Sequence, residues 1–136
     1  MAPAEAGLPP DDLSIPGEAV LWRRVPPYHF VADASGAIRP SSAAFEDDPD
    51  GDPMSTVLAT PERDPFPVLL GNDSWALAAI PVALIRALGW VVSRQPTQDE
   101  SDHVVVIGNK SHARRRRVAR ECTWVIPPPP MRGLEL

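Results

Sequence analysis

The sequence predicts a single small α+β domain, with a mixed sheet of short strands, two short helices and flexible, proline-rich termini. A chain of 136 residues has room for one domain only. Segments typical of strands fill its N-terminal half, whereas candidate helices alternate with strands only in its C-terminal half. We expect the domain to span residues 18–126.

The two ends of the chain lack the patterns of regular structure. Residues 1–17 hold four prolines and three acidic residues without helical or strand periodicity, and are predicted to form a flexible arm. Residues 127–136 start with four consecutive prolines, each of which lacks a backbone donor and fixes its own φ. This Pro-rich tail is predicted to be a simple C-terminal stop, with an adaptor ligand as the alternative.

Three strands are predicted in the N-terminal half. Residues 19–25 (AVLWRRV) are rich in β-forming residues and end at two prolines, and residues 28–31 lead into a turn closed by glycine. Residues 54–58 alternate along the chain as a strand does. An acidic loop over residues 46–53 precedes this third strand, and residues 60–74 are predicted to be mostly loop.

The most apolar stretch, residues 75–89, is predicted to lie at the centre of the core. Pro81 in the interior of one long helix would cost about 3 kcal/mol, because it removes a hydrogen bond and clashes with the preceding turn. We therefore expect a buried segment over residues 75–80, either helix or strand. A short helix follows, with Pro81 at its first position and Gly89 as its C-terminal cap.

The last third of the chain predicts a strand, a helix and a strand. Residues 103–107 (HVVVI) form a run of β-branched side chains without alternation, which favours a strand buried on both faces. Gly108 begins a turn, and Ser111 is predicted to cap a helix that reaches about Cys122. Residues 123–126 are predicted to form the closing strand.

Composition excludes several classes of protein. The longest apolar run, residues 75–85, is shorter than the about 20 residues that a membrane-spanning helix needs, so no membrane partner is expected. The N-terminus does not have the pattern of a secretory signal, and the single cysteine, Cys122, excludes an internal disulfide. These features predict a cytoplasmic protein, and twelve Arg against one Lys are typical of a high-GC bacterial gene.

Charge is distributed unevenly around the net value of −5. Residues 1–102 carry 16 acidic and 6 basic residues, a balance of −10, whereas residues 103–136 carry 2 acidic and 7 basic residues, a balance of +5. The two parts therefore attract each other. The sequence leaves open whether the acidic loop and the basic helix meet within one chain or between two, or whether both are solvated.

The start of the basic helix is the main candidate site. A helix start offers free N–H groups and a positive dipole to an anion, and Lys or Ser there can complete the site. Arginines in the first turns oppose that dipole by about 0.3–1 kcal/mol each at low salt, a conflict that a bound anion would relieve. The predicted anion- or partner-binding residues are Gly108, Asn109, Lys110, Ser111, Arg114 and Arg115.

This site carries a prediction for stability as well as binding. Replacing Lys110, Arg114 and Arg115 together should weaken binding, preserve the fold and slightly raise stability if no ligand is present. By helical spacing, one side of the helix is shared by Ala113, Arg116, Arg117 and Arg120, and Arg114 and Arg115 are expected to point outward or towards the helix start. The alternative interpretation is a Gly-Asn turn, a serine cap and a solvated face of arginines.

The same segment resembles the end of a P-loop, in which a strand leads to GxxxxGK[ST] and a helix. Asn109 stands where that pattern has the glycine before lysine, and Val104 where it has its first glycine, so we exclude nucleoside triphosphate hydrolysis by this route. Binding of a phosphate-containing ligand by this segment is still compatible with its sequence. Nucleic acid is a further alternative, although the chain is acidic overall and has no motif of aromatic and basic residues for stacking.

Metal sites are not predicted. The acidic loop matches the first, third, fifth and sixth positions of an EF-hand in part, but Val57 at the twelfth position cannot bind calcium. His29, His103, His112 and Cys122 lack the spacing of a zinc site. No metal and no cofactor is therefore expected, and the acidic loop is predicted to be a solvated turn.

A second set of residues suggests an enzyme. Arg23 or Arg24, then Ser41 and Ser42, then Asp99 or Glu100 resemble the Arg, Ser-x-Ser and Glu order of ADP-ribosyltransferases. The resemblance implies an enzyme that uses NAD or another nucleotide through these arginines and serines.

No complete catalytic motif is present, so the leading hypothesis is a small non-enzymatic binding or accessory module. Its partner would be a protein or a phosphate-containing ligand at the start of the Arg-rich helix 111–122. The alternatives are the nucleotide-using enzyme and a protein-interaction adaptor that uses the two tails.

Overall fold

The chain folds into a small α+β domain, as predicted. A computed structural model describes residues 9–132, so the outermost parts of the predicted arm and tail, residues 1–8 and 133–136, lie outside the described residues. The strands are β1 (Val20–Val25), β2 (Phe30–Ala32), β3 (Ile38–Pro40), β4 (Met54–Leu58), β5 (Ala76–Pro81), β6 (Val91–Arg94), β7 (His103–Ile107) and β8 (Thr123–Ile126). The helices are α1 (Val82–Ala87) and α2 (His112–Glu121), and the 3₁₀ turns are Pro27–His29, Ser42–Phe45, Phe66–Leu69 and Pro129–Met131.

Six strands form one sheet in the order β6-β7-β4-β1-β5-β8, and β2 and β3 form a separate hairpin. Every ladder is antiparallel, whereas the sequence predicted a mixed sheet. The mixed sheet was expected because helices and strands alternate in the C-terminal half, and this alternation comes from two helical crossovers. Helix α1 connects β5 to β6 and α2 connects β7 to β8, and each pair runs in the same direction with three other strands between its members. Helices and strands thus alternate along the chain although no parallel strands are neighbours.

The ambiguous segment before Pro81 is a strand. Residues Ala76–Pro81 form β5 and pair with all six residues of β1. Pro81 serves as N-cap of α1, one residue before its predicted place, and Gly89 follows the helix with a φ of +80°. Strands β3 and β6 were not predicted, because β3 includes Pro40 and the second half of β6, Ser93 and Arg94, is polar.

The core has two layers, one on each face of the six-stranded sheet. The larger layer lies between the sheet and the two helices, and Leu21, Ile80, Trp90, Val106 and Val118 are among its buried members. The smaller layer lies on the other face, below the 3₁₀ turn Phe66–Leu69, and contains Trp22, Val57, Val68, Leu69, Leu77 and Ile126.

The described part of the predicted arm packs on the domain. Ile15 is fully buried in the larger layer. The Asp11 carboxylate accepts hydrogen bonds from Arg86 Nε at 2.8 Å and from the backbone N–H of Val92 at 2.9 Å. The Asp12 N–H donates to the Val92 carbonyl, also at 2.9 Å. Residues 11–15 therefore cover the edge strand β6, and the domain begins earlier than the predicted boundary at residue 18.

The described part of the Pro-rich tail also contacts the domain. The Arg132 guanidinium donates to the carbonyls of Pro127, Asp73 and Trp75, at 2.9, 2.8 and 2.7 Å. Pro128 is buried. These contacts hold residues 127–132 against the loop that precedes β5. Among residues 9–132, no helix is long and apolar enough to cross a membrane.

Candidate functional site

Helix α2 begins where the sequence predicted. The Ser111 hydroxyl accepts a hydrogen bond from the backbone N–H of Arg114 at 3.4 Å, which confirms Ser111 as the N-cap. Val118 is fully buried against the sheet. The arginines before and after it are thereby distributed around the rest of the helix, because successive residues turn by about 100°.

Lys110 points into the protein. Its Nζ donates to Asp47 Oδ1 and the Val106 carbonyl, both at 2.9 Å, and to the Gly108 carbonyl at 3.2 Å. The ammonium also lies 5.0 Å from the centre of the Trp90 ring. Only 6% of this side chain is exposed. Lys110 thus ties the end of β7 to the acidic loop.

Gly108 and Asn109 wrap closely around Trp90. A Cβ on Gly108 would lie 2.5 Å from Trp90 Cδ1, and the Gly108 φ of +150° is one that other residues rarely adopt. The Asn109 carbonyl accepts the Trp90 indole N–H at 2.7 Å and Arg114 Nη1 at 3.2 Å. The Gly-Asn turn therefore has a packing role that its local sequence did not indicate.

The acidic loop and the basic helix meet within one chain. Arg115 Nε donates to the Lys110 carbonyl at 2.9 Å, and Arg115 Nη1 lies 3.3 Å from Glu46 Oε1. We call Lys110 and Arg115, at the start of α2, together with Glu46 and Asp47 opposite them, the neutralised face. The loop is anchored in turn by Asp48, whose carboxylate lies 3.4 Å from Arg23 Nη1 and accepts the Ser55 hydroxyl at 2.7 Å.

Another side of α2 borders a depression of about 460 Å³, which we call the open groove. Its lining residues are Val31, Asp33, Arg39, Ser41, Ser42, His112, Arg116, Ala119 and Arg120. His112, Arg116 and Arg120 follow one another at intervals of four residues and therefore share one side of the helix. All three are exposed, and their side chains have no hydrogen-bond or ion-pair partner among residues 9–132.

The opposite wall of the open groove is held in place by Arg39. Arg39 Nη2 donates to the carbonyls of Ala119, Arg120 and Cys122 at 2.9, 3.1 and 3.1 Å, and so caps the C-terminal end of α2. This contact fixes β3 against the helix and leaves Ser41 and Ser42 at the rim. Arg39 belongs to the site although nothing near it in the sequence indicates α2 as its partner.

Asp33 is the one carboxylate among the residues that line the open groove. Its Oδ1 accepts the Ser35 hydroxyl at 2.6 Å, the Ser35 N–H at 2.9 Å and the Ala37 N–H at 3.1 Å. These hydrogen bonds, the Ser35 hydroxyl above all, lower the pKa of Asp33. Three arginines against one aspartate give the groove a formal charge of +2, with His112 not counted.

The residues of the predicted nucleotide-using enzyme are placed in different parts of the surface. Arg23 and Arg24 line a separate cavity of about 320 Å³, whereas Ser41 and Ser42 line the open groove. The Arg24 charge acts on the Glu100 carboxylate, but both Glu100 carboxylate oxygens accept hydrogen bonds from Arg63, at 2.5 and 2.6 Å. The arginine pair and the serine pair are not gathered in one site.

Two further features concern metals and nucleophiles. Among residues 9–132, no three His, Cys, Asp or Glu side chains lie close enough together to hold a metal ion. Burial raises the pKa of the Cys122 thiol to about 11, so the thiol is protonated at neutral pH.

The chain matches no family model, no curated protein and no solved structure with which it was compared.

Proposed function

We propose that the protein is a non-enzymatic binding module that holds a ligand with one or two phosphate groups in the open groove. The observation that carries this proposal is the row of His112, Arg116 and Arg120 along one concave surface without a carboxylate partner. Cations on the neutralised face have internal partners. Arg116 and Arg120 in the open groove are available to an external anion.

The chemistry of the groove suits phosphate. Arginine presents planar pairs of N–H donors that match the oxygens of phosphate, and each such bond is assisted by charge. Ser41 and Ser42 add hydroxyl donors on the opposite wall. A tetrahedral anion between the walls would receive donors from both sides.

The limited extent of positive charge favours a small anion over a long nucleic acid. The chain has a net charge of −5, and the acidic loop lies beside the start of the same helix. A polyanion that followed α2 beyond the groove would approach Glu46 and Asp47. Binding through many phosphates also requires many cations, and it weakens steeply with salt.

The helix-start surface predicted from sequence, which comprises Gly108, Asn109, Lys110, Ser111, Arg114 and Arg115, stays a competing prediction. An anion there would have to displace the contacts that Lys110 and Arg115 make with the acidic loop. The open groove requires no such displacement, and this difference favours it.

The proposal is tested by isothermal titration with inorganic pyrophosphate, a phosphoserine peptide, ADP and a short RNA. The variant Arg116→Gln/Arg120→Gln removes two groove cations, and Arg114→Gln/Arg117→Gln is its control with the same change of charge on the same helix. We expect the groove variant to lose at least about tenfold in affinity, equivalent to about 1.4 kcal/mol. The control should stay within about threefold of the unchanged protein.

Each alternative has its own result. Equal losses of affinity in both variants would mean that the interaction is general charge attraction. A loss of affinity confined to the control would indicate a site at the helix start. A steep salt dependence with RNA alone would favour nucleic acid. If none of the four probes binds, the proposal is wrong.

A further inference from the structure

The second cavity lies where two central strands separate. Strand β1 pairs with β5 along all six of its residues, but with β4 only at Leu21↔Leu58 and Trp22↔Val57. Beyond Trp22 the ladder between β1 and β4 ends, although both strands continue. A gap opens in the middle of the sheet, and the cavity of about 320 Å³ is located there.

Arg23 closes one side of this gap. Its Nε donates to the Ala44 carbonyl at 2.9 Å, Nη1 to the Ser55 carbonyl at 2.8 Å and Nη2 to the Glu46 carbonyl at 3.3 Å. Its guanidinium also pairs with Asp48 at 3.4 Å. With these partners Arg23 is a fixed part of the wall and holds β1 and β4 apart.

Two tryptophans, a tyrosine and one further arginine also line the cavity. Trp22 is buried in the floor, Trp75 is half-buried, and Tyr28 is 79% exposed at the mouth. Arg24 lines the same cavity and makes a single hydrogen bond, from Nη1 to the Val68 carbonyl at 3.2 Å. A pocket of this size, mostly apolar with a few polar groups, has the character of a small-molecule site.

Unpartnered polar atoms are concentrated around this cavity. His29 Nδ1 is the one buried side-chain nitrogen or oxygen without a hydrogen bond among residues 9–132. The indole N–H groups of Trp22 and Trp75 also lack a partner within this range. By contrast, Trp90 donates to Asn109 at 2.7 Å and Trp124 to Ile38 at 3.0 Å. Buried polar groups in proteins are normally satisfied, so His29 Nδ1 indicates a missing partner, and the two unpaired indole N–H groups are donors that a ligand in the cavity could use.

We propose that this cavity binds a small planar aromatic carboxylate. The ring would pack against Trp22, Trp75 and Tyr28, whose faces favour offset or edge contacts with another ring. The carboxylate would accept N–H groups from Arg24, and its second oxygen or a ring substituent would meet the indole N–H of Trp22.

The charges around the cavity favour a single negative charge on the ligand. Glu46 and Asp47 also line the cavity, but Arg115 and Lys110 offset them. Burial, with the nearby Arg23 charge, lowers the pKa of His29, so its imidazole is neutral at pH 7. Arg24 is thus the cation that faces the ligand.

The four indole N–H resonances in a ¹⁵N-correlated NMR spectrum provide the test, with 2-naphthoate as probe and neutral 2-naphthamide as its matched analogue. Trp22→Phe and Trp75→Phe variants assign the signals. We expect saturable shifts of the Trp22 and Trp75 signals, with those of Trp90 and Trp124 unchanged. The amide should bind at least about tenfold more weakly, because it lacks the charge that Arg24 recognises.

The variants separate the cavity from general attraction of anions. Arg24→Gln should reduce naphthoate affinity to that of the amide, whereas Arg94→Gln, a control at an exposed arginine of β6, should not change it. The Arg116→Gln/Arg120→Gln variant of the open groove should bind naphthoate normally. The inference and the proposed function can therefore fail independently.

The unchanged protein alone can overturn the inference. It is wrong if naphthoate gives no saturable shift at millimolar concentration, if all four indole signals move together, or if acid and amide bind equally well. Each of these results is measured on the unchanged protein, so it is interpretable even if Arg24→Gln does not fold.

Discussion

Arg115 of the neutralised face and Arg116 of the open groove are the same residue type on one ten-residue helix, yet the two side chains have different surroundings. Arg115 is 15% exposed and bonded to Lys110 and near Glu46, whereas Arg116, the next residue, is exposed in the groove. A run of like charges is thus divided by the element that folds against each side. Charge alone does not distinguish a structural cation from one available to a ligand.

The division originates in the loop rather than in the helix. Asp48 is tied to Arg23 and Ser55, which fixes the acidic loop at the edge of β4. From there Glu46 and Asp47 reach Arg115 and Lys110. The opposite wall of the groove comes from β3 and the turn after it, where Arg39, Ser41 and Ser42 bring no carboxylate.

The largest effect is expected from Gly108→Ala, which tests the turn beneath the neutralised face. The new Cβ would clash with Trp90 at 2.5 Å and hold a φ of +150° that alanine avoids. Strain and overpacking together should lower the free energy of unfolding by about 3 kcal/mol or more. Urea unfolding measures this change. Gly51→Ala, at a positive φ with no atom within 4 Å of the added Cβ, is the control and should cost less.

The next largest effect is expected from Lys110→Met. It leaves the Val106 and Gly108 carbonyls and Asp47 without their donor, while the aliphatic stem is kept. We expect a loss of about 2–3 kcal/mol in urea unfolding, because a buried charged donor with several acceptors is removed. Arg117→Met is the control, since Arg117 is 43% exposed and pairs only with Glu121. A loss for Lys110→Met no larger than for this control would contradict a structural role for Lys110.

These contacts also reverse the sign that the sequence predicted for the combined replacement of Lys110, Arg114 and Arg115. From dipole repulsion alone, that variant should become slightly more stable. With Lys110 and Arg115 engaged by carbonyls and by the acidic loop, we now expect it to become less stable. Helix dipole effects of about 0.3–1 kcal/mol are smaller than the hydrogen bonds that would be lost.

A paired comparison of neighbouring residues sharpens the contrast further. Arg115→Gln removes a hydrogen bond to the Lys110 carbonyl and an ion pair with Glu46, and should cost about 1 kcal/mol. Arg116→Gln removes an exposed side chain without an internal partner and should stay within about 0.5 kcal/mol. Thermal and urea unfolding of the two variants side by side measure the difference. Equal costs would mean that the two faces are not distinct.

Much of the fold follows from local sequence, and the exceptions have physical causes. The β-branched run 103–107, the Ser111 cap and the Pro81 boundary act within a few residues, so they could be predicted. The antiparallel order could not be predicted, because it depends on which strands lie between the two members of each crossover. The contacts of Ile15 were missed because one buried side chain creates no period.

The candidate site, too, could be predicted only where its features depend on residues close together in the sequence. The Arg-rich helix and the shared side of Arg116 and Arg120 follow from helical spacing, but Arg117, which the same spacing grouped with them, pairs with Glu121 and does not line the groove. Asp47, the carboxylate partner of Lys110, is 63 residues away in the sequence, and the carbonyls that bind Arg39 are about 80 residues away. Long-range contacts of this kind decide which cations are engaged internally, and neither composition nor periodicity records them.

The smallest expected effect is a gain of stability, and it tests the open groove without any ligand. Arg116→Glu replaces a like-charge neighbour of Arg120 by an acid four residues before it, the favourable order on a helix, and should stabilise the protein by about 0.3–0.5 kcal/mol. The same change at Arg115 would set two carboxylates against each other at Glu46 and should destabilise it. Urea unfolding at low salt would show opposite signs for adjacent residues, and added salt should shrink the Arg116→Glu gain. A gain confined to position 116 means that the groove keeps mutually repelling cations at a cost to stability, as expected of a surface that binds an anion.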